Sequence, residues 1–443
     1  MTIKGLSKEE VSELLKSAHE LIQRKNYKEA MPLVEVILDD DPNNPAALNF
    51  SGYIAIQLGQ DTVAYQYLKR AVDEKPDQAQ LWTNFGLAAQ HLDRMDEALQ
   101  ACLTAIEIDP SYHMAYTNAS SVLIAISQWE DARKAAETAL EINPNDWRAR
   151  CNMAHSLLAL HEWEEGWKYW ELSLGSEQRK EWAYGDEKRW DGTKNQAVVV
   201  YGEQGLGDEI FYASCVPDAI KDCKKVIVDC DPKLEGLFRR SFPKANVYGT
   251  RRDSTPWWLK DARIDARCSV GSLPQFYRKS EESFPGTPYL KADPDRVLMW
   301  KALWKSKGKK VVGITSEGGA KYTNKRGRKL SVYAWEEFFK QDAIFVSLDY
   351  RDGIRHPKLL QFPAIVKSQD YDDTAALIAS LDCVVGVNTT AIHCANGLGV
   401  PTHILVPDGH QWRYSGEYVW SKTAKLYRQN GREWREVISE VTL

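Results

Sequence analysis

No uninterrupted apolar run of about 18 residues occurs, the length a membrane-spanning helix requires, so no span is expected. Neither sign of charge dominates: 57 Lys and Arg stand against 62 Asp and Glu, a net charge of −5. That balance offers no electrostatic footprint for nucleic acid or an anionic membrane surface. No CxxC pair is present, and the eight cysteines form no compact framework, which suits reduced thiols in a cytoplasmic protein. The first residues, MTIKGLSKEEVSELL, are charged and amphipathic and lack the apolar centre of a signal peptide. What the chain does have is length and tryptophan. Its 443 residues, 43% hydrophobic and 27% charged, suffice for two or three soluble domains, and it carries 16 tryptophans.

The first 180 residues repeat. Pro42, Pro76, Pro110 and Pro144 lie 34 residues apart, as do Ala30, Ala64, Ala98 and Ala132, with Gly166 one step further. Gly52, Gly86, Ser120 and Ala154 form a third register, and Ala18 stands one period before it. Small residues where two helices cross, and proline where the second helix stops, resemble the tetratricopeptide repeat. About five copies over residues 9–180 are enough to bury a continuous solenoid core. Asn84, Asn118 and Asn152 share one position on the first helices, where they face the concave groove of such a solenoid. Amides there can grip a peptide backbone, and the pattern is similar to the asparagine ladder of O-GlcNAc transferase. Asparagine is also frequent at this position in any such repeat, and Phe50 interrupts the series. Trp163, Trp167, Trp170, Trp182 and Trp190 follow; the helical spacing of the first three favours reading these rings as a cap and glue for the solenoid over a ligand platform.

From residue 197 strands and helices alternate. AVVVYG, KVIVDC and ANVYG read as strands of a first α/β half, with helices near 208–221 and 232–241. After FPGTPYLKADPD a second half follows, with strands KVVGITS, AIFVSLD, DCVVGV and THILVP and helices near 332–341, 371–381 and 390–398. The expected organisation is a repeat solenoid over 1–182, then Rossmann-like halves over 183–295 and 296–443, with ligands beyond the carboxyl ends of the strands.

Two turns carry candidate chemistry. In LDCVVGVNTTAIHCANGLGVP a buried strand ends at Val387, Asn388 suits the N-cap, and Gly399 supplies the helix stop. The N–H groups of Thr389, Thr390 and Ala391, with two hydroxyls, suit a diphosphate at a helix N-terminus, and His393 one turn in can donate to it. In the loop NKRGRKLS, Arg328 and Lys329 are candidates to neutralise a leaving phosphate, with Arg326 as an alternative. The other turn, YGEQGLGDEI, has the strand–glycine–helix form of a phosphate loop but carries Glu203, Asp208 and Glu209, whose charge repels phosphate. Asp208 is either a general base or an N-cap for the helix that follows.

Together YGEQGLGDEI, GSLPQFY, VSLDY, NTTAIHCANGLGVP and DGHQWRY resemble glycosyltransferase family nine, the ADP-heptose heptosyltransferase-like enzymes of GT-B fold and their repeat-bearing bacterial relatives. The resemblance implies that Asp208 is the base and that Glu203, Gln204, Gly205 and Gly207 form an acceptor-side loop. It also implies that Thr389 to His393 hold the nucleotide diphosphate and that Ser347 and Leu348 lie on the donor side. Asn388 stands where the family usually has Asp, and Lys329 where it usually has Ser. The implied activity is inverting, metal-independent transfer from a nucleotide-diphosphate sugar, without further cofactor, to an acceptor recruited in part by the repeats. DCD at 229–231 matches a three-residue metal signature, but metal is not expected because helix dipole and cations can do its work. Two other readings stand beside this one. The first is an inactive repeat scaffold with a nucleotide-binding domain. The second is an NAD(P)-dependent oxidoreductase, with Asp229 placed as a ribose-binding acid.

Overall fold

The computed structural model describes residues 5–176, 179–251, 253, 255–261, 263–305, 307–318, 328–351 and 353–443. Arg326 lies outside them. The chain forms two compact units, Met1–Ser156 and Leu157–Leu443.

The first unit is a run of helices: α1 (Lys8–Gln23), α2 (Tyr27–Asp40), α3 (Pro45–Gln57), α4 (Asp61–Glu74), α5 (Ala79–His91), α6 (Met95–Ile108), α7 (His113–Ala125), α8 (Trp129–Ile142) and the start of α9 (Trp147–Ala159). The 34-residue registers have direct physical causes. Ala30, Ala64, Ala98 and Ala132 are fully buried. A Cβ on Gly52 would lie 2.3 Å from Leu68, and one on Gly86 would lie 3.1 Å from the Ala98 carbonyl. Ser120 tolerates its larger side chain because its hydroxyl donates to the Ala132 carbonyl at 2.7 Å. One register escapes a reading of residue types. Lys25, Gly59, Asp93, Ser127 and His161 all adopt positive φ between 60° and 72° in the turn joining paired helices, yet only one is glycine.

In the second unit, α10 (Trp163–Leu172) buries Trp163, Trp167 and Trp170. The Trp167 indole donates to the Arg278 carbonyl at 2.7 Å, and that of Trp170 to the Gly271 carbonyl at 2.9 Å. This tryptophan helix is therefore built into the α/β unit, and the division between units falls before residue 182.

Two all-parallel sheets follow. The first comprises β1 (Lys188–Arg189), β2 (Ala197–Tyr201), β3 (Lys225–Asp229), β4 (Asn246–Tyr248) and β5 (Ala266–Ser269), in the order β1-β5-β2-β3-β4. The second comprises β6 (Lys310–Thr315), β7 (Ala343–Ser347), β8 (Leu359–Gln361), β9 (Cys383–Val387), β10 (Thr402–Val406) and β11 (Ala424–Arg428), in the order β11-β10-β9-β6-β7-β8. The expected strands are present, and β1, β5, β8 and β11 are added to them. The helix expected over 332–341 is a short α-turn, Val332–Trp335, and a 3-10 turn, Phe338–Lys340. Its Trp335, Phe338 and Phe339 fill the core of the second sheet with Phe345 and Val385. In both sheets the strand order reverses beside a central strand, next to β2 in one and β9 in the other. The turns leaving those strands are the two singled out by sequence.

Candidate functional site

The turn after β2 opens the helix Leu206–Tyr212, whose N-cap is Gly205. Asp208 is the third helical residue, so it does not cap. Two of the glycines here answer to a close neighbour. A Cβ on Gly202 would lie 2.2 Å from the Glu209 carboxylate, and one on Gly207 would lie 3.1 Å from Thr390 Oγ1. The turn is thus shaped by packing against its own carboxylates and against the second turn.

Its three carboxylates have different fates. Glu203 is buried, accepting from Arg179 Nε at 2.8 Å. Arg179 is itself buried, donating to Ser272 Oγ at 3.0 Å and to the Trp170 carbonyl at 2.5 Å. Glu203 is therefore structural and not an open acceptor-side contact, because both charges are paired away from solvent. Glu209 is also buried, lying against Arg251 and accepting from the Asp231 N–H at 2.9 Å. Burial pushes its carboxyl up to about 8 against the pull of Arg251. Asp208 alone keeps an exposed face, its side chain 32% accessible, with Arg413 Nη2 donating to Oδ1 at 2.8 Å. Gln204 is partly buried, and its carbonyl accepts from Arg251 Nη1 at 2.7 Å.

The turn after β9 opens the helix Thr390–Leu398, and the stop expected at Gly399 has φ 78°. The cap is Thr389, whose hydroxyl accepts from the Ile392 N–H at 3.4 Å; Asn388 is not the cap. One residue earlier in the chain, Asn388 is held elsewhere. Its amide donates to Gln411 Oε1 at 2.8 Å, its Oδ1 accepts from the Tyr414 hydroxyl at 2.5 Å, and its carbonyl accepts from Arg328.

A cavity of about 360 Å³ brings the two turns together: Gly205 and Leu206 face Thr389, Thr390 and Ala391 across it. Lys233, Arg251 and Arg351 supply cationic wall, Asp231, Glu317 and Asp349 acidic wall, and Leu348 and Tyr350 apolar wall. Ser347 stands behind, buried, its hydroxyl accepting from the Asp349 N–H at 3.4 Å. Asp349 braces the end of β6, accepting from Ser316 N–H and Oγ at 2.8 and 2.5 Å, and burial raises its carboxyl.

His393, Arg328 and Lys329 are not part of this wall. His393 is 5% exposed and lies edge-on to Phe211 at 5.1 Å, so contact with a phosphate in the cavity is replaced by packing. Burial drives its imidazole well below the usual value, and Arg413 and Arg328 add to that, which keeps it neutral. Arg328 is held by the Asn388 carbonyl, and burial lowers its guanidinium. Lys329 is solvent-exposed and lies 3.6 Å from Glu317. The cations that face the cavity, Lys233, Arg251 and Arg351, went unassigned in the sequence. Arg251 and Arg351 sit in segments without periodicity, and Lys233 follows the DCD segment.

Asp229 does not meet a ribose: its oxygens accept from Thr250 Oγ1 at 2.8 Å and the Tyr184 hydroxyl at 2.6 Å, inside the fold. Asp231 accepts from Arg251 Nη2 at 3.1 Å. Among the described residues no group of three His, Cys, Asp or Glu is placed to hold a metal, and no helix is long and apolar enough to cross a membrane.

In the first unit, Asn118 Nδ2 donates to the Thr83 carbonyl at 3.3 Å and Asn152 Nδ2 to the Thr117 carbonyl at 3.0 Å. Asn84 Nδ2 donates to Asn49 Oδ1 at 2.8 Å. The ladder exists, but its donors join each repeat to the one before. Asn49 stands in the register of Thr83 and Thr117 and is the acceptor of the Asn84 rung.

Residues 15–79 and 62–113 match the tetratricopeptide-repeat model, so the repeats are of that kind and have the character of a protein-interaction module. Protein FlbA of Caulobacter vibrioides is 28% identical over 266 residues, covering 54% of this chain and 44% of that protein. Superkiller complex protein 3 of Homo sapiens is 38% identical over 77 residues, covering 17% of this chain and 5% of that protein. The chain spans less than half the length of these curated relatives. Among solved structures, a MamA protein is 22% identical with a TM-score of 0.32, covering 38% of this chain and 92% of that one. PilF of Pseudomonas aeruginosa is 20% identical with a TM-score of 0.35, covering 37% of this chain and 75% of that one.

Proposed function

We propose that the second unit is a GT-B-type glycosyltransferase that takes a sugar from a nucleotide-diphosphate donor and passes it to an acceptor recruited in part by the repeats. The observation that carries this reading is the pairing of two unlike turns on one cavity. The Thr389–Ala391 turn offers a hydroxyl-capped helix N-terminus, where a diphosphate is stabilised by free N–H groups and the helix dipole. Lys233, Arg251 and Arg351 add positive charge in the same wall. On the opposite turn Asp208, which is not part of the cavity wall, is the one carboxylate with an accessible face, and an open carboxylate can take a proton from an acceptor hydroxyl or amide.

Calorimetry of the full chain with UDP, GDP, ADP and CDP tests the donor half of this reading. At least one should bind more tightly than its monophosphate. If none binds, the reading is wrong.

A second reading, a nucleotide-binding scaffold without turnover, draws on the Arg413–Asp208 ion pair, which engages one oxygen of the proposed base. It requires binding with no transfer from any of the UDP-, GDP- and ADP-sugars.

A further inference from the structure

The 3-10 turn Trp412–Tyr414, with Gln411 before it, touches both turns of the cavity at once. Gln411 and Tyr414 hold the two ends of the Asn388 amide, at 2.8 and 2.5 Å, directly before the Thr389 cap. Between them, Arg413 reaches the other side and donates to Asp208 at 2.8 Å. Arg413 is 8% exposed, its guanidinium lies 4.4 Å over the Phe211 ring, and Trp412 and Tyr212 flank it. Three side chains from the loop after β10, Gln411, Arg413 and Tyr414, thus clamp the residue that precedes one helix and a carboxylate in the first turn of the other. Among the described residues, the carboxylate that pairs with this enclosed guanidinium is Asp208.

We propose that the Gln411–Tyr414 turn couples the two sides of the cavity and that Arg413 is a positioning residue for Asp208. Its effect on transfer rests on the function proposed above; its effect on the two turns does not. Fixing Asn388 fixes Arg413 through the adjacent backbone, and Arg413 fixes the carboxylate. Release at either end loosens the other.

The coupling is read first without any ligand. Tyr414→Phe removes one hydroxyl from Asn388 and leaves the Arg413–Asp208 pair and the residues lining the cavity unsubstituted. Hydrogen–deuterium exchange of the full chain, with a melting curve as the folding control, should quicken several-fold over residues 206–212 as well as over 388–393. Faster exchange confined to 388–393 would overturn the coupling. Asp208→Asn reads the same link from the exposed end and should quicken exchange at 411–414; no change there would count equally against it.

The second readout is single-turnover transfer from whichever of the UDP-, GDP- or ADP-sugars binds. Arg413→Gln should lower the rate about tenfold or more with donor KM within twofold, and Arg413→Lys should recover most of the loss. Equal loss in both variants, or a loss wholly in KM, would make Arg413 a packing residue only. If no nucleotide sugar binds, the glycosyltransferase reading fails, and the exchange result alone decides the coupling.

Discussion

Two turns with one architecture meet at the cavity, and they differ in what their side chains do with charge. Both leave a central parallel strand and open a helix. After β9 the cap is a threonine, no carboxylate sits in the first turn of the helix, and the hydroxyls face the cavity. After β2 the cap is a bare glycine and three carboxylates crowd the turn, two of which are buried against Arg179 and Arg251. Backbone shape therefore does not tell a turn suited to phosphate from one suited to repel it. The distinction lies in which charges are neutralised by the fold and which are left facing outward.

The largest expected effect separates the two turns by chemistry. Asp208→Asn takes the charge partner from buried Arg413, so the melting midpoint should fall, while transfer with donor saturating falls about 10²–10⁴-fold, the usual worth of a positioned base. Near-normal single-turnover transfer would reduce Asp208 to a partner for Arg413.

Glu203→Ala tests the contrast within one turn. It strands Arg179 in the interior, and removal of one member of a buried pair costs about 3–5 kcal/mol. Urea unfolding should show that loss; a drop below about 1 kcal/mol would mean that the pair contributes little.

On the other turn, Thr389→Ala with Thr390→Ala removes a cap worth about 1 kcal/mol and a hydroxyl contact of similar size. Calorimetry should show nucleoside-diphosphate affinity falling roughly tenfold or more and monophosphate affinity falling less. Equal losses would detach the helix terminus from the second phosphate.

The smallest effect is on pH. Glu209 is held protonated up to about 8 in the fold against an ordinary value of 4.5. The folded state binds this proton more tightly than the unfolded chain, so the stability it contributes is complete below 4.5 and lost as pH rises through about 8. Unfolding midpoints between pH 5 and 8 should decline less in Glu209→Gln than in wild type. A parallel decline would remove Glu209 as the cause.

How much of this was legible follows from where each signal lives. The solenoid was readable because helix crossings demand small residues at a fixed step, as at Gly52 against Leu68. The central strands were readable because burial on both faces makes them continuously apolar, as in β2 and β9. The edge strands β1 and β11, with sequences KR and AKLYR, carry mostly partly exposed or exposed residues and lack that signature. The cap was misplaced by one because Asn388 and Thr389 are both good cap residues, and a partner 26 residues later, Tyr414, draws Asn388 away. Arg413 lies within DGHQWRY, but its role is not legible there, since its partner stands 205 residues earlier in sequence. No local pattern encodes such a pair.

The asparagine rungs of the first unit give the solenoid a polarity. Every described rung points from a later helix to an earlier one: Asn84 to Asn49, Asn118 to Thr83, Asn152 to Thr117. Cutting the array before α3 severs none of these bonds, whereas each cut further along leaves one side-chain donor without its acceptor. Under limited proteolysis or a pulling force the array should come apart in sequence, shedding α1 and α2 first while the remaining helices stay zipped.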